Sequence, residues 1–145
     1  MVEHLINHGV DKNTKDNEGK TPFHYSAENN NLSIVEYLFN HGVDTNAKDN
    51  QNKTPLHYSA ENGHISVVEY LINHGVDINP KDNEGKTPLH YSAENDYLSI
   101  VQYLINNGAD IDARDNGYNT AFQYSCENNN HDVADFLKER GAIIT

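Results

Sequence analysis

The chain contains a single cysteine, Cys126, in 145 residues. One thiol can build neither a disulfide framework nor a cysteine-based metal site. Long apolar runs are missing as well, so no segment reads as a membrane span. The opening residues Met1-Val2-Glu3-His4-Leu5 lack both the basic flank and the apolar centre of a secretion signal. Together these absences make an intracellular, reducing compartment, the cytoplasm, the default expectation. Positive charge is scarce too: 10 Lys and Arg stand against 22 Asp and Glu, a formal net charge of -12. Nucleic acid needs clustered positive surface, and an anionic membrane repels such a chain, so the charge argues against both. Hydrophobic residues make up 36 % and the mean hydropathy is -0.81, which is low for one compact core. A stack of repeated units escapes part of that shortage, because each unit buries only the faces it turns to its neighbours.

Self-comparison supplies those units. Glycines recur at Gly9, Gly42, Gly75, Gly108 and Gly141, and threonines at Thr21, Thr54, Thr87 and Thr120, both with a period of 33 residues. The unit from Asp49 and the unit from Asp82 agree at nearly two thirds of their positions, as recent duplication would leave them. One repeat domain over 1–145 results: a partial unit at 1–15, full units at 16–48, 49–81 and 82–114, and a terminal unit at 115–145.

Each unit reads as two short helices. Thr-Pro at 21–22, 54–55 and 87–88 places an N-cap before a proline at the first helical position. The first helix is expected to end at Asn30, Gly63, Asp96 and Asn129, residue types that tolerate the left-handed conformation. The pairs Ser33…Glu36, Ser66…Glu69, Ser99…Gln102 and Asp132…Asp135 predict capping boxes at the start of the second helix. Apolar residues such as Ile34, Val35, Leu38 and Phe39 keep helical spacing, and the recurring glycines end that helix. The stretch after each glycine, such as 43–50, suits an extended turn or hairpin.

Thr-Pro-Leu-His at 54–57 and 87–90, Thr-Pro-Phe-His at 21–24 and Gly-Val-Asp-Ile-Asn at 75–79 resemble the ankyrin repeat over essentially the whole chain. The resemblance implies an all-α helix-turn-helix solenoid with hairpin loops, whose concave groove and hairpin tips bind proteins. It also implies that His24, His57 and His90 hydrogen-bond at the junction of hairpin and helix. The terminal unit departs from the pattern, with Gly117-Tyr118 at its turn, Thr120-Ala121-Phe122-Gln123 for the motif, and a more charged second helix. That suits a C-terminal cap whose outer face meets water. Residues 1–9 match only the second helix of a unit, so Val2, Leu5 and Ile6 lack part of their packing. The start therefore reads as a piece of a longer array, and its uncapped end as a route to self-association.

Residues repeated in every unit separate structural from chemical candidates. The histidines lie one repeat apart and do not converge on a metal; His4 and His8 form an i, i+4 pair without a third ligand in reach. Ser26, Ser59, Ser92 and Ser125 stand two residues after a His or Gln, which turns the pair to different helical faces and argues against a nucleophile. Cys126 takes the small position held by Ala27, Ala60 and Ala93, and a packing role is expected for it. With no phosphate loop, no metalloprotease helix and no set-apart carboxylate pair, the reading is non-enzymatic, with no cofactor and no metal.

The binding candidates sit on one face of the first helix. Tyr25, Tyr58, Tyr91 and Tyr124 are followed at spacings of three and four by Glu28, Glu61, Glu94 and Glu127, and by Asn29, Asn62, Asn95 and Asn128. By the resemblance this face lines the groove. Tyrosine there either anchors a partner or packs against the neighbouring units, and both readings stand. A second aromatic column, Tyr37, Tyr70, Tyr103 and Phe136, is expected to pack. Lys15, Lys20, Lys48, Lys53, Lys81, Lys86 and Arg114 flank the turn; they either solubilise the tips and offset Asp16, Asp49, Asp82 and Asp115, or form a basic rim beside the groove with Lys53 and Lys86 as contact candidates. The expected function is a non-catalytic module that binds another protein. The alternative is a structural spacer or self-associating scaffold segment, which the uniformity of the units favours.

Overall fold

The computed structural model describes residues 12–144; the calls on Val2, Leu5, Ile6, His4 and His8 lie outside them. Eight helices lie among the described residues, and no strand. They alternate between an inner row and an outer row. The inner helices are α1 (Pro22–Glu28), α3 (Pro55–Glu61), α5 (Pro88–Glu94) and α7 (Ala121–Glu127). The outer helices are α2 (Leu32–Asn40), α4 (Ile65–Asn73), α6 (Leu98–Asn106) and α8 (His131–Glu139). Each inner helix packs on the next inner helix and on its own outer helix.

Local chemistry sets the inner helix. Thr54 is extended, with φ -99° and ψ 167°, and its hydroxyl accepts from the His57 amide at a long 3.4 Å. His57 returns the favour: its Nδ1 accepts the Thr54 backbone N–H at 3.0 Å. The capping box therefore lies on the inner helix, closed by histidine at the third position in three units and by Gln123 in the fourth. At the other end Asn30, Asp96 and Asn129 take φ of 57°, 63° and 60°, and Gly63 takes 78°, as their residue types allow. The next residue then bonds back, as in Asn31 N–H to the Ser26 carbonyl at 2.9 Å. This is the six-residue closure that ends a helix and turns the chain sharply.

That closure corrects the expected start of the outer helix. Its N-caps are Asn31, His64, Tyr97 and Asn130, so Ser33, Ser66, Ser99 and Asp132 lie inside the first turn and face solvent. The capping boxes read from the serines do not form, because only three residues join the two helices and the second begins before the serine. His64 and Asn130 also bond across units: His64 Nε2 to the Glu28 carbonyl at 2.8 Å, and Asn130 Nδ2 to the Ala93 and Glu94 carbonyls, each at 2.9 Å.

The core runs between the two rows. Leu38, Leu56, Leu71, Leu104 and Leu137 are fully buried with Val35, Val67 and Val101. Burying one such side chain contributes about 1.5–3 kcal/mol. Close stacking of the inner helices needs small residues at the contact. Ala27, Ala60 and Ala93 are completely covered, and each serine Oγ turns inward to the carbonyl three residues back, as Ser59 does to Leu56 at 3.1 Å. Cys126, at the equivalent position of α7, is exposed. Among the described residues it does not pack as Ala27, Ala60 and Ala93 do, each of which lies on an inner helix that meets the next inner helix.

The turns between units are tight. Asp49 Oδ1 accepts the amides of Gln51 and Lys53, both at 2.9 Å, and Asp82 and Asp115 repeat the arrangement. Successive tips are tied by one backbone bond each, such as Asn83 N–H to the Gln51 carbonyl at 2.9 Å. Gly85 occupies the left-handed turn position at φ +77°, where a Cβ would lie 2.5 Å from Asn116 Oδ1. In the terminal unit this position is Tyr118, at φ 64° and 74 % exposed. A non-glycine residue in that conformation costs about 1–2 kcal/mol, and glycine returns part of the gain through unfolded-chain entropy. Tyr118→Gly is expected to raise stability by about 0.5–1 kcal/mol. An unchanged or lowered thermal midpoint would show that the ring contributes contacts that offset its backbone strain.

Candidate functional site

The tyrosine, lysine, aspartate and glutamate of the units 16–48, 49–81 and 82–114, with Tyr124 and Asp115 of the terminal unit, form one connected layer on the inner helices. The hydroxyls of Tyr25, Tyr58, Tyr91 and Tyr124 donate to Asp16, Asp49, Asp82 and Asp115, each nine residues earlier. Each of those aspartates therefore holds the turn with one oxygen and the helix with the other. Lysines fill the space between the rings. Lys20 Nζ lies 4.8 Å from the Tyr25 ring centre and 4.5 Å from that of Tyr58. Lys53 lies 5.3 and 4.8 Å from Tyr58 and Tyr91, and Lys86 lies 5.0 and 4.8 Å from Tyr91 and Tyr124. The same ammonium groups meet Glu28, Glu61 and Glu94 at 3.0, 3.2 and 3.4 Å. Rings and cations thus alternate along the stack, an arrangement favoured by the negative face of the aromatic ring.

This placement sorts the residues picked out from sequence. Tyr58 and Tyr91 are buried, Tyr124 is half-buried, and Tyr25 is 38 % exposed at the first described unit. Glu28, Glu61 and Glu94 are half-buried over the lysines, while Asn29, Asn62 and Asn95 are exposed beside them. The basic rim needs correction. Lys20, Lys53 and Lys86 leave the turn, and their side chains are only 9, 13 and 12 % exposed. Lys15, Lys48, Lys81 and Arg114 remain on the surface. The lysine signal was present in the sequence, five residues before each tyrosine and eight before each glutamate; its direction was not. The outer column behaves as packing: Tyr70, Tyr103 and Phe136 rest on the core, and Tyr70 stacks on His74 at 4.0 Å.

Titration follows the geometry. The Tyr25 hydroxyl is pushed up to about 12 by its bond to Asp16. Burial, and then the Asp49, Asp82 and Asp115 bonds, raise Tyr58, Tyr91 and Tyr124 well above the usual phenol range. Asp16 is lowered, first by the Tyr25 hydroxyl and then by the Lys20 and Glu18 amides. Burial opposes ionisation of Asp115, but the bonds from Tyr124, Asn119 and Gly117 outweigh it and leave its carboxyl lowered. Burial depresses His24, His57 and His90. The backbone settles the tautomer of these rings: the threonine N–H can only donate, so Nδ1 accepts and Nε2 carries the proton. Nε2 then donates to the next unit, at 2.9 Å to the carbonyls of Lys53, Lys86 and Asn119. Each of these groups is taken up by a neighbour inside the stack, and at the first described unit Asp16 and Tyr25 also line a cavity with Lys20, Pro22, Asn29 and Ile34.

The layer above them is what another molecule can touch. It consists of the outward sides of the glutamates, the row Asn29, Asn62, Asn95 and Asn128, and the tips Asn17, Asn50, Asn83 and Asn116. A family model of ankyrin repeats matches the chain in three copies, over residues 1–82, 48–115 and 80–145. No curated protein matches it.

Proposed function

The chain belongs to the ankyrin repeat family, and from that premise we propose that it binds a partner protein through its concave inner-helix face and its turn tips. Repeats of this family are generally protein-interaction modules and typically non-catalytic. The observation that carries the finer reading is the exposed row Asn29, Asn62, Asn95 and Asn128, set in register on a layer already locked by its own hydrogen bonds and ion pairs. Such a surface arrives at a partner already ordered, so little side-chain entropy is lost on binding.

The test must spare that layer. Tyr58 and Tyr91 are structural supports, so removing them would confuse binding with folding. Asn62→Arg together with Asn95→Arg alters exposed groups instead. Cross-linked partner capture is expected to fall at least tenfold, with helical content unchanged and the thermal midpoint lowered only slightly by loss of the bonds from Asn62 Nδ2 to the Tyr58 carbonyl at 2.9 Å and from Asn95 Nδ2 to the Glu61 carbonyl at 3.2 Å. Equal capture by the folded double variant would remove the groove from the reading. The second reading, a spacer or self-associating segment, draws on the same uniformity: the lysine and histidine of each of the units 16–48, 49–81 and 82–114 serve the next unit. Sedimentation decides it, since a concentration-independent monomer with no captured protein speaks against both self-association and binding.

A further inference from the structure

The first three units define an ammonium site by example. The lysine Nζ stands 4.8, 5.3 and 5.0 Å from its own unit's ring, Tyr25, Tyr58 or Tyr91. It also stands 3.0, 3.2 and 3.4 Å from Glu28, Glu61 or Glu94. The terminal unit keeps the tyrosine, Tyr124, and the glutamate, Glu127, at the same sequence spacing, but Asn119 takes the lysine's place. Glu127 is exposed, and among the described residues no ion pair reaches it. Tyr124 receives Lys86 of the preceding unit at 4.8 Å. Tyr58, by contrast, is flanked by two ammonium groups, Lys20 at 4.5 Å and Lys53 at 5.3 Å. The Tyr124 hydroxyl is tied to Asp115 as its counterparts are tied to theirs, so the ring is held in the same pose.

We propose that Tyr124 and Glu127 form a binding site for a primary ammonium group, supplied by a lysine of the partner protein. The inference rests on the protein-binding reading and names the chemistry at one end of its surface. A lysine is the fitting donor, because the internal occupants are all lysines and a carboxylate next to a ring face matches a compact cation. Asn119 brings no charge to compete. Half-burial of the ring lets the site contribute more than an exposed ion pair does.

The full chain carrying ring-labelled tyrosine is titrated with a short, N-terminally acetylated peptide containing one lysine, and with the same peptide acetylated on Nε as well. The Tyr124 resonance is expected to shift saturably with the free lysine peptide and not with the Nε-acetylated one, while Tyr58 and Tyr91 stay still. Asn119→Lys supplies the cation internally and should weaken the response at least tenfold without loss of stability. Glu127→Gln should weaken it several-fold. A response that survives Asn119→Lys, or that the Nε-acetylated peptide reproduces, overturns the site. Protein capture that depends on Asn62 and Asn95, with no lysine response at Tyr124, overturns the ammonium site alone. A lysine response without any protein capture retains the ammonium chemistry and overturns a partner protein as its source.

Discussion

Replacing His57 by alanine is expected to remove about 3–5 kcal/mol of stability, the largest effect of any single side chain on the inner helices. The imidazole bridges two units. Its Nδ1 accepts the Thr54 N–H at 3.0 Å and its Nε2 donates to the Lys86 carbonyl at 2.9 Å, and the ring is fully buried. Its edge also meets the Tyr91 ring, 6.0 Å between centres. Alanine strands one buried donor and one buried acceptor, at about 1–3 kcal/mol each, and leaves a cavity between stacked helices. The terminal unit shows which half of the bridge can be kept. Gln123 Oε1 accepts the Thr120 N–H at 2.7 Å, so glutamine preserves the cap. His57→Gln is therefore expected to lose only about 1–2 kcal/mol, the share of the ring contact and the bond to the next unit. Urea midpoints of the two variants rank the contributions. If alanine and glutamine prove equal, the threonine cap is not what histidine supplies.

The terminal unit also shows how far the sequence could be read. The period, the Thr-Pro start and the glycine stop were legible because they are local: each is decided within a few residues of backbone. The link from Tyr58 to Asp49 and the path of Lys53 between two rings were not. A lysine beside a turn reads as solvated charge, and it is drawn inward by its own unit's tyrosine and glutamate together with the neighbouring unit's tyrosine. Cys126 failed for the opposite reason. Repetition identified its position correctly, but the alanines there are buried on inner helices that meet the next inner helix, and Cys126 is exposed. Ser33 and Glu36 carried the right spacing for a capping box; the closure between Asn31 and Ser26 simply starts the helix earlier. For Lys53 the pattern gave the residue's place within its unit and the adjoining unit's ring helped decide what it does there; for Tyr58 and Ser33 the deciding partners, Asp49 and the Asn31–Ser26 closure, lie in the same unit. That is also why Tyr124 and Glu127 matter: they are the internal pattern with the lysine exchanged for Asn119.

Acidification from pH 7 to 5 is expected to destabilise the stack steeply, through the same histidines. His24, His57 and His90 are held neutral by burial, with pKa values below the ordinary 6.5. The folded state therefore binds fewer protons than the unfolded chain once the pH drops below 6.5. Stability is fully present above that value and falls as pH descends from it toward the lowered folded values. Protonation at Nδ1 would also set a proton against the threonine N–H. Three such groups give a limiting slope of about 4 kcal/mol per pH unit, at about 1.36 kcal/mol each. Below the ordinary carboxylate value of 3.8 the lowered Asp16 and Asp115 act in the same direction, their stabilisation being lost as they protonate. Urea midpoints at pH 7.5, 6.5 and 5.5 separate the two sets. The wild-type midpoint should fall as the pH descends through 6.5, and the triple variant His24→Gln, His57→Gln, His90→Gln should start lower and change less. Parallel curves would assign the acid sensitivity to other groups and remove the neutral imidazole bridges as its source.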